Sequence, residues 1–412
     1  MTLTAIDRLL EDDLEALLER RTLANGEFFA ANAERVARLC HRMAERFARG
    51  GRLLGLGIAP PARSDARHVA VEFVHPVIVG KRALPAIAVT GDAEEVERQV
   101  ELLAREQDIL LAFCSGARDA PALGRAVRSG RRRGCLTIAS GACGAEWEFE
   151  VPSEDPYVRQ EVLETLYHVL WELVHVFFDH RGLLEGRDGR RLHDAGASSF
   201  LYPFLAERDQ ELEPVVRDVR DSALMKAAEI DVLRTQTMTE NSPALLSAAR
   251  ELRERFEHGG QLLALGNGGS ATDAMDVVAD FRAAAGGGCG RPAIDLTEDP
   301  AILTAIANDV GIDAIFSRQV IAYGQRGDAL LALSTSGNSR NVIEALVQGR
   351  RQGLLTIALV GYDGGLVRAE GLADHVVVTR SEHIPRIQEA QASAYHALRM
   401  LVERVGEARA AP

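Results

Sequence analysis

The chain has 412 residues, 47% hydrophobic and 26% charged, with a formal charge of -13, which is the composition of a globular protein with room for about two domains. The acidic balance argues against nucleic acid as the main partner, and no apolar run approaches a membrane span. Five scattered cysteines (Cys40, Cys114, Cys135, Cys143, Cys289) without CxxC spacing read as reduced thiols and exclude a disulfide frame. With an acidic N-terminus that lacks a leader's apolar stretch, they place the expected location in the cytoplasm.

Residues 3–48 are helical in pattern, with Leu9, Leu10, Leu14, Leu17 and Leu18 at three- and four-residue steps. Gly50-Gly51 closes that region, and RLLGLG (52–57) starts a strand. Strands are then expected at 86–89, 109–113 and 135–139, and helices at 64–74, 93–106, 120–131 and 156–178. Such alternation implies a parallel sheet covered on both faces. Residues 183–225 are charge-rich but carry an apolar knot, Phe200–Leu205, and read as a connector that docks part of itself.

From about residue 226 the first half returns. GGRLLGLG (50–57) matches GGQLLALG (259–266), and QDILLAFCSG (107–116) matches GDALLALSTSG (327–337). RRRGCLTIAS (131–140) matches RRQGLLTIAL (350–359), and RQEVLETLYHVLWELV (159–174) matches IQEAQASAYHALRMLV (387–402). Four blocks in one order read as a duplication. The expected division is a first copy at 1–182, a connector at 183–225 and a second copy at 226–412.

The second copy carries two loops suited to an anion. A strand at 262–265 breaks at Gly266-Asn267-Gly268-Gly269-Ser270 and a helix follows at once, so backbone N–H groups and the helix dipole face one point. A second strand, 330–333, ends in Ser334-Thr335-Ser336-Gly337-Asn338-Ser339 ahead of a helix at 341–352. Capping accounts for one hydroxyl at a helix N-terminus but not for four, which points to phosphate.

The motifs GNGGSATDAMDVVADF, AILTAIAND (301–309), STSGNS and RIQEAQASAYH resemble the sugar isomerase (SIS) domain family, in its phosphoheptose isomerase branch, across residues 240–403. The first copy resembles the same fold more weakly over 30–180. The resemblance implies an α/β fold of two tandem flavodoxin-like domains, each a parallel sheet flanked by helices, joined by a partly helical connector. It also implies conversion of sedoheptulose 7-phosphate to a heptose phosphate, no nucleotide cofactor, and a homo-oligomer in which two tandem chains make a pseudo-tetramer.

In that family a His-x3-Glu pair after the glycine loop and a Gln-x7-His pair on the last helix supply acid and base and, in several members, zinc ligands. By position, the second copy has Asp276 for the histidine and Asp280 for the glutamate, and keeps Gln388 and His396. Asn267, Gly268, Gly269, Ser270, Asp309, Ser334, Thr335, Ser336 and Ser339 fit the phosphate and sugar set, while Pro385 replaces a family aspartate. The first copy keeps His68, Glu72, Gln160 and His168 but has Ile58-Ala59-Pro60-Pro61-Ala62-Arg63 for the glycine loop and Cys114-Ser115-Gly116-Ala117-Arg118 for the serine loop. Prolines remove N–H donors there, unless Arg63 or Arg118 substitutes with charge. His75, His175 and His383 have no matched partner and read as structural.

The expected catalytic residues are therefore Glu72, His168, Asp280 and His396, moving a proton through an enediol(ate). Zinc is expected on His68, Glu72, Gln160 and His168, with His396 as the alternative last ligand. Gln160 and His168 lie about 12 Å apart along a helix, so the site is expected to borrow a histidine from a neighbouring copy. Asp276 and Asp280 read equally as a solvated helix face. The alternative function is a non-catalytic protein that binds a sugar phosphate or serves as a scaffold.

Overall fold

Each copy opens on a Gly-Gly pair, and backbone geometry explains why. Gly50 and Gly259 have φ of +86° and +82°, a region open to glycine and costly for other residues. A Cβ on Gly51 would run into the carbonyl of Gln107, and one on Gly260 would come 2.5 Å from the carbonyl of Gly327. The pair lets the chain leave a helix and enter a strand against the loop that precedes a neighbouring strand. Both copies solve this packing problem in the same way.

The computed structural model describes residues 3–78, 81–116, 118–180, 183–184, 211–284 and 290–410. The apolar knot at 200–205, most of the connector and Cys289 lie outside the described residues. In chain order the elements are α1 (Leu3–Ala48), β1 (Leu53–Gly57), α2 (Pro60–Val74), β2 (Ala86–Thr90), α3 (Ala93–Leu103), β3 (Ile109–Phe113), α4 (Ala120–Arg132), β4 (Leu136–Ala139), β5 (Trp147–Glu148) and α5 (Pro156–Asp179). Next come α6 (Leu212–Glu240), α7 (Ser242–Glu257), β6 (Leu262–Leu265), α8 (Gly269–Arg282), β7 (Ala293–Asp295), α9 (Pro300–Asp309) and α10 (Ser317–Tyr323). The chain ends with β8 (Ala329–Ser334), α11 (Arg340–Gln352), β9 (Leu355–Gly361), α12 (Gly365–Ala369), β10 (His375–Thr379) and α13 (Ile384–Ala410). Among the described residues no helix is long and apolar enough to cross a membrane.

One difference from the sequence reading has a plain cause. Pro60 and Pro61 occupy the first turn of α2 instead of a loop, because a fixed φ and a missing N–H are tolerated at that position. Residues 3–48 form one unbroken helix, since Gly26 alone does not break a pattern this long.

The strands form two separate five-stranded sheets, ordered β2-β1-β3-β4-β5 and β7-β6-β8-β9-β10 from one edge to the other. All pairings are parallel, with Leu53 opposite Ile109 and Leu262 opposite Ala329 in the two central registers. Each sheet therefore repeats one topology, that of a flavodoxin-like fold. Alternate residues of β6 serve opposite faces. Leu262 and Ala264 pack with Phe281, Leu398 and Leu401, whereas Leu263 and Leu265 pack with Phe316, Val342 and Leu346. In the other sheet Leu53 joins Phe73 and Trp171, and Leu54 and Leu56 join Val96 and Val127.

The chain divides into two compact units, one of residues 1–22 with 230–412 and one of residues 23–229. The N-terminal segment, read from sequence with the first copy, belongs instead with the second. Its Leu10 and Leu14 are buried in the same core cluster as Leu398 and Val402 of α13. We call residues 23–229 the first unit and the remainder the second.

Replacing Gly260 by alanine forces a methyl against a carbonyl and is expected to cost about 1–3 kcal/mol. Gly26 is a helical site where an added methyl would meet nothing within 4 Å, so Gly26→Ala is expected to gain roughly 0.5–1 kcal/mol. Urea unfolding of the two variants should move in opposite directions.

Candidate active site

Strand β6 ends at the topological switch of its sheet, where β7 lies on one side and β8 on the other. Ligand loops collect at such a crevice at the carboxyl ends of the strands. Gly266 follows β6, and a Cβ there would strike the carbonyl of Ser270. Gly268 takes φ +57° and ψ −124° as the residue before α8. The first N–H groups of α8 are the ones without a partner inside the helix, and Ser270 in that turn is buried.

The serine loop lies at the end of the adjacent strand. Ser334 Oγ accepts from the N–H of Gly337 at 3.1 Å, and Ser336 Oγ accepts from the N–H of Asn338 at 3.2 Å. Both hydroxyls accept in these bonds, and a hydroxyl that accepts still has its own proton to donate. Ser339 stands at the N-cap of α11 without a side-chain cap bond, so capping does not consume its hydroxyl. The two loops are joined side chain to side chain. Asn267 Nδ2 donates to Asn341 Oδ1 at 2.9 Å, and Asn341 Nδ2 donates back to Asn267 Oδ1 at 2.9 Å. Asn341 is a residue that the sequence reading missed, though an amide beside the serine motif was its visible signal.

Deeper in the second unit, α8 and α13 bring Asp276, Asp280 and His396 together, and all three are buried. His396 Nε2 lies 3.4 Å from Asp280 Oδ2 and 3.6 Å from Asp276 Oδ2. The hydroxyl of Tyr395 donates to Asp276 Oδ2 at 3.0 Å. The solvated-face reading of the two aspartates is thus overturned. Tyr395 was also overlooked, although the pair Tyr-His recurs at 167–168 and 395–396. Gln388 is buried on the same helix, and Gln391 Nε2 donates to the carbonyl of Ser334 at 3.4 Å. Asp309 is exposed at the end of α9, and among the described residues its carboxylate accepts from Asn308 Nδ2 at 2.7 Å.

The first unit has a matching cluster on α2 and α5. His68 Nε2 and His168 Nε2 are 3.4 Å apart, and Glu72 Oε1 is 3.9 Å from the same His68 nitrogen. His68, Glu164 and His168 each offer a ligand atom within 4.8 Å of the others, and all are buried. Glu164 was missed; it stands one turn before His168 on the same helix face, while Gln160 stands a further turn away and is half-buried. Burial, and then the neighbouring His168, hold the His68 imidazole well below its usual 6.5. Each cluster is closed by its own unit's histidine, His168 in one and His396 in the other.

The loops above the first cluster differ. Pro60 and Pro61 remove N–H groups from the opening turn of α2. Arg63, a candidate replacement cation, donates to the carbonyls of Ile58 at 2.7 Å and Gly91 at 2.9 Å. His175, read as structural, sits between the carbonyls of Trp171 and Arg82 at 2.8 and 3.0 Å.

The family model described as "SIS domain" matches residues 227–361. A phosphoheptose isomerase from Pelodictyon phaeoclathratiforme is 45% identical over 177 residues, covering 42% of this chain and 83% of that protein. The chain belongs to the SIS domain family, in its phosphoheptose isomerase branch. Two solved structures share the fold across nearly the whole length. The C-terminal domain of glucosamine-fructose-6-phosphate aminotransferase from Francisella tularensis aligns over 95% of both chains at 8% identity and a TM-score of 0.59. Tagatose-6-phosphate ketose/aldose isomerase from Escherichia coli aligns over 96% of this chain and 93% of its own, at 12% identity and a TM-score of 0.55. The SIS match falls in the copy that carries both anion loops.

Two outcomes follow from this geometry. Asn341→Ala removes both bonds between the loops and is expected to weaken inorganic phosphate binding by about 1–2 kcal/mol, with Asn267→Ala adding little more in a double-mutant cycle read by calorimetry. His68 is neutral when folded but takes a proton near pH 6.5 when unfolded, so its contribution is present above that value and lost as pH falls. Urea unfolding of chelator-treated protein between about pH 8 and pH 5 should show this loss, and His68→Gln should flatten it.

Proposed function

We propose that the chain is an aldose–ketose isomerase for a phosphorylated sugar, of the sedoheptulose 7-phosphate class, working in its second unit. The observation that carries this reading is one unit holding both a clasped pair of phosphate-type loops and a buried Asp276–Asp280–His396 set. The family relationship to phosphoheptose isomerases supports the same substrate class.

The proposed chemistry follows from the groups in place. The loop N–H groups and the hydroxyls of Ser334, Ser336 and Ser339 grip the phosphate, and that binding energy positions the sugar end. Asp280 takes the proton from the carbon beside the carbonyl and returns it to the neighbouring carbon. His396, oriented by Asp276 and Asp280, moves the proton between the two oxygens of the enediol(ate). Tyr395 fixes Asp276 through its hydroxyl.

The resemblance implies zinc. Ligands of a tetrahedral zinc at about 2.0–2.1 Å stand about 3.4 Å from each other, and the two imidazole nitrogens of the first unit have that separation. His68, Glu164 and His168 offer ligand atoms for the ion there, outside the unit in which the proposed reaction runs. The second unit, with two aspartates and one histidine, departs from that donor set, so no step of the proposal runs through a metal.

Deuterium exchange into a panel of ketose phosphates tests the reading. Asp280→Asn and His396→Gln are each expected to lower turnover about 10²–10⁴-fold with little change in KM, whereas Ser334→Ala should raise KM. Full activity in His396→Gln, or loss in Glu72→Gln with Asp280→Asn unaffected, would move the chemistry out of the second unit. Binding of a sugar phosphate without any exchange would leave the non-catalytic reading.

A further inference from the structure

Buried polar atoms in a folded chain are nearly always paired, so one without a partner calls for an explanation. Gln391 of the second unit has such an atom. Its side chain, on α13, is wholly buried, and its Nε2 donates to the carbonyl of Ser334 at 3.4 Å. Among the described residues its Oε1 accepts from nothing. Turning the amide round is no remedy, because its oxygen would then face the Ser334 carbonyl, acceptor against acceptor. An unmet acceptor is a burden in the free protein and a selective contact for a ligand that brings a donor. A site built to meet a hydroxyl penalises any ligand that lacks it.

The contacts of α13 on either side set the place of that oxygen. Gln391 meets the end of β8, where the serine loop begins; about one turn on, Tyr395 bonds Asp276, and His396 faces Asp276 and Asp280. Gln391 precedes His396 by five residues, about 7.5 Å of helix axis. With the phosphate on the serine loop and the reacting carbons at His396, the hydroxyl-bearing carbons between them cross this stretch of helix. Gln391 and His396 are equally buried, so the oxygen lies in the same enclosed layer as the acid–base set. The duplication supplies a second observation. In the repeat that matches Tyr167-His168 to Tyr395-His396, the counterpart of Gln391 is Leu163, buried in the core of the first unit. Packing at this position is thus served by leucine, and the amide stands only in the copy that keeps both anion loops.

We propose that Gln391 is a specificity-determining residue of the second unit, its Oε1 accepting a hydrogen bond from a sugar hydroxyl that lies between the phosphate end and the carbonyl end of the substrate. The contact rests on the reading of this unit as a phosphosugar site. It gives the site a preference for a polyhydroxy chain, which a grip on phosphate alone does not supply.

The test is equilibrium binding by the full chain of two probes, inorganic phosphate and sedoheptulose 7-phosphate. Gln391→Leu is expected to weaken sedoheptulose 7-phosphate by roughly 5–100-fold and to leave inorganic phosphate nearly unchanged. In the exchange assay the loss should fall on KM and not on kcat, since the amide touches no reacting atom. Equal weakening of both probes would reduce Gln391 to a support for the serine loop, and unchanged affinity for sedoheptulose 7-phosphate would remove the contact; either result overturns the proposal. So does a wild-type chain that binds sedoheptulose 7-phosphate no more tightly than inorganic phosphate. If Gln391→Leu does not fold, Gln391→Met, closer in shape, is read in the same way. The isomerase reading fails separately. No exchange by the wild-type chain, with sedoheptulose 7-phosphate bound and weakened by Gln391→Leu, rejects turnover and keeps the contact, whereas exchange with unaltered affinity in Gln391→Leu rejects the contact alone.

Discussion

Burying ionisable side chains on a helix is costly unless each is met by a partner, and the last helix of each copy does so along much of its length. On α5 the buried set includes Glu161, Glu164, His168, Glu172 and His175; on α13 it includes Arg386, Glu389, His396 and Arg399. An isolated buried charge costs several kcal/mol, so these helices cannot pack wherever apolar surface is available. Arg386 meets Glu389 at 2.8 Å, Lys226 pairs with Glu172, and Arg399 donates to the carbonyl of Asp280 at 3.0 Å. The first of these lies within α13, whereas Lys226 ties α6 to α5 and Arg399 ties α13 to α8, the helix that carries Asp276 and Asp280.

Against this shared frame the copies have diverged in complementary ways. The second unit retains glycines where the chain must pass close to other backbone, at Gly266 and at Gly337, where a Cβ would strike the carbonyl of Gly364. The first unit has prolines at the corresponding helix opening. A proline and a glycine both suit the start of a helix, but only the second leaves an N–H to donate. The same substitution therefore keeps a helix opening while removing backbone donors from it.

Much of the fold was legible in the sequence because its signals are local. The alternation of apolar strands with amphipathic helices and the four repeated blocks are enough to expect two parallel sheets, and the loops at 266–270 and 334–339 announce themselves by composition. What escaped depends on contacts between distant segments. Asn341 looked like an ordinary first-turn residue until Asn267, on another strand's loop, was seen to face it. Glu164 stands one turn from His168 on α5, and only the packing of α2 against α5 brings it near His68. Tyr395 needed α8 beside α13 to acquire a role. The grouping of residues 1–22 with the second half could not be read from an unbroken helical pattern, because periodicity reports which face is apolar and not what covers it.

That grouping bears on how the protein is made. Leu10 and Leu14 are synthesised long before Leu398 and Val402 of α13, their partners in one core cluster. At synthesis rates of roughly 5–20 residues per second, the opening segment waits on the order of 20–80 s for that helix. During the wait Leu10 and Leu14 lack the core that later buries them. The first unit can collect its own sheet in the interval, and the second is completed only when α13 meets Leu10 and Leu14.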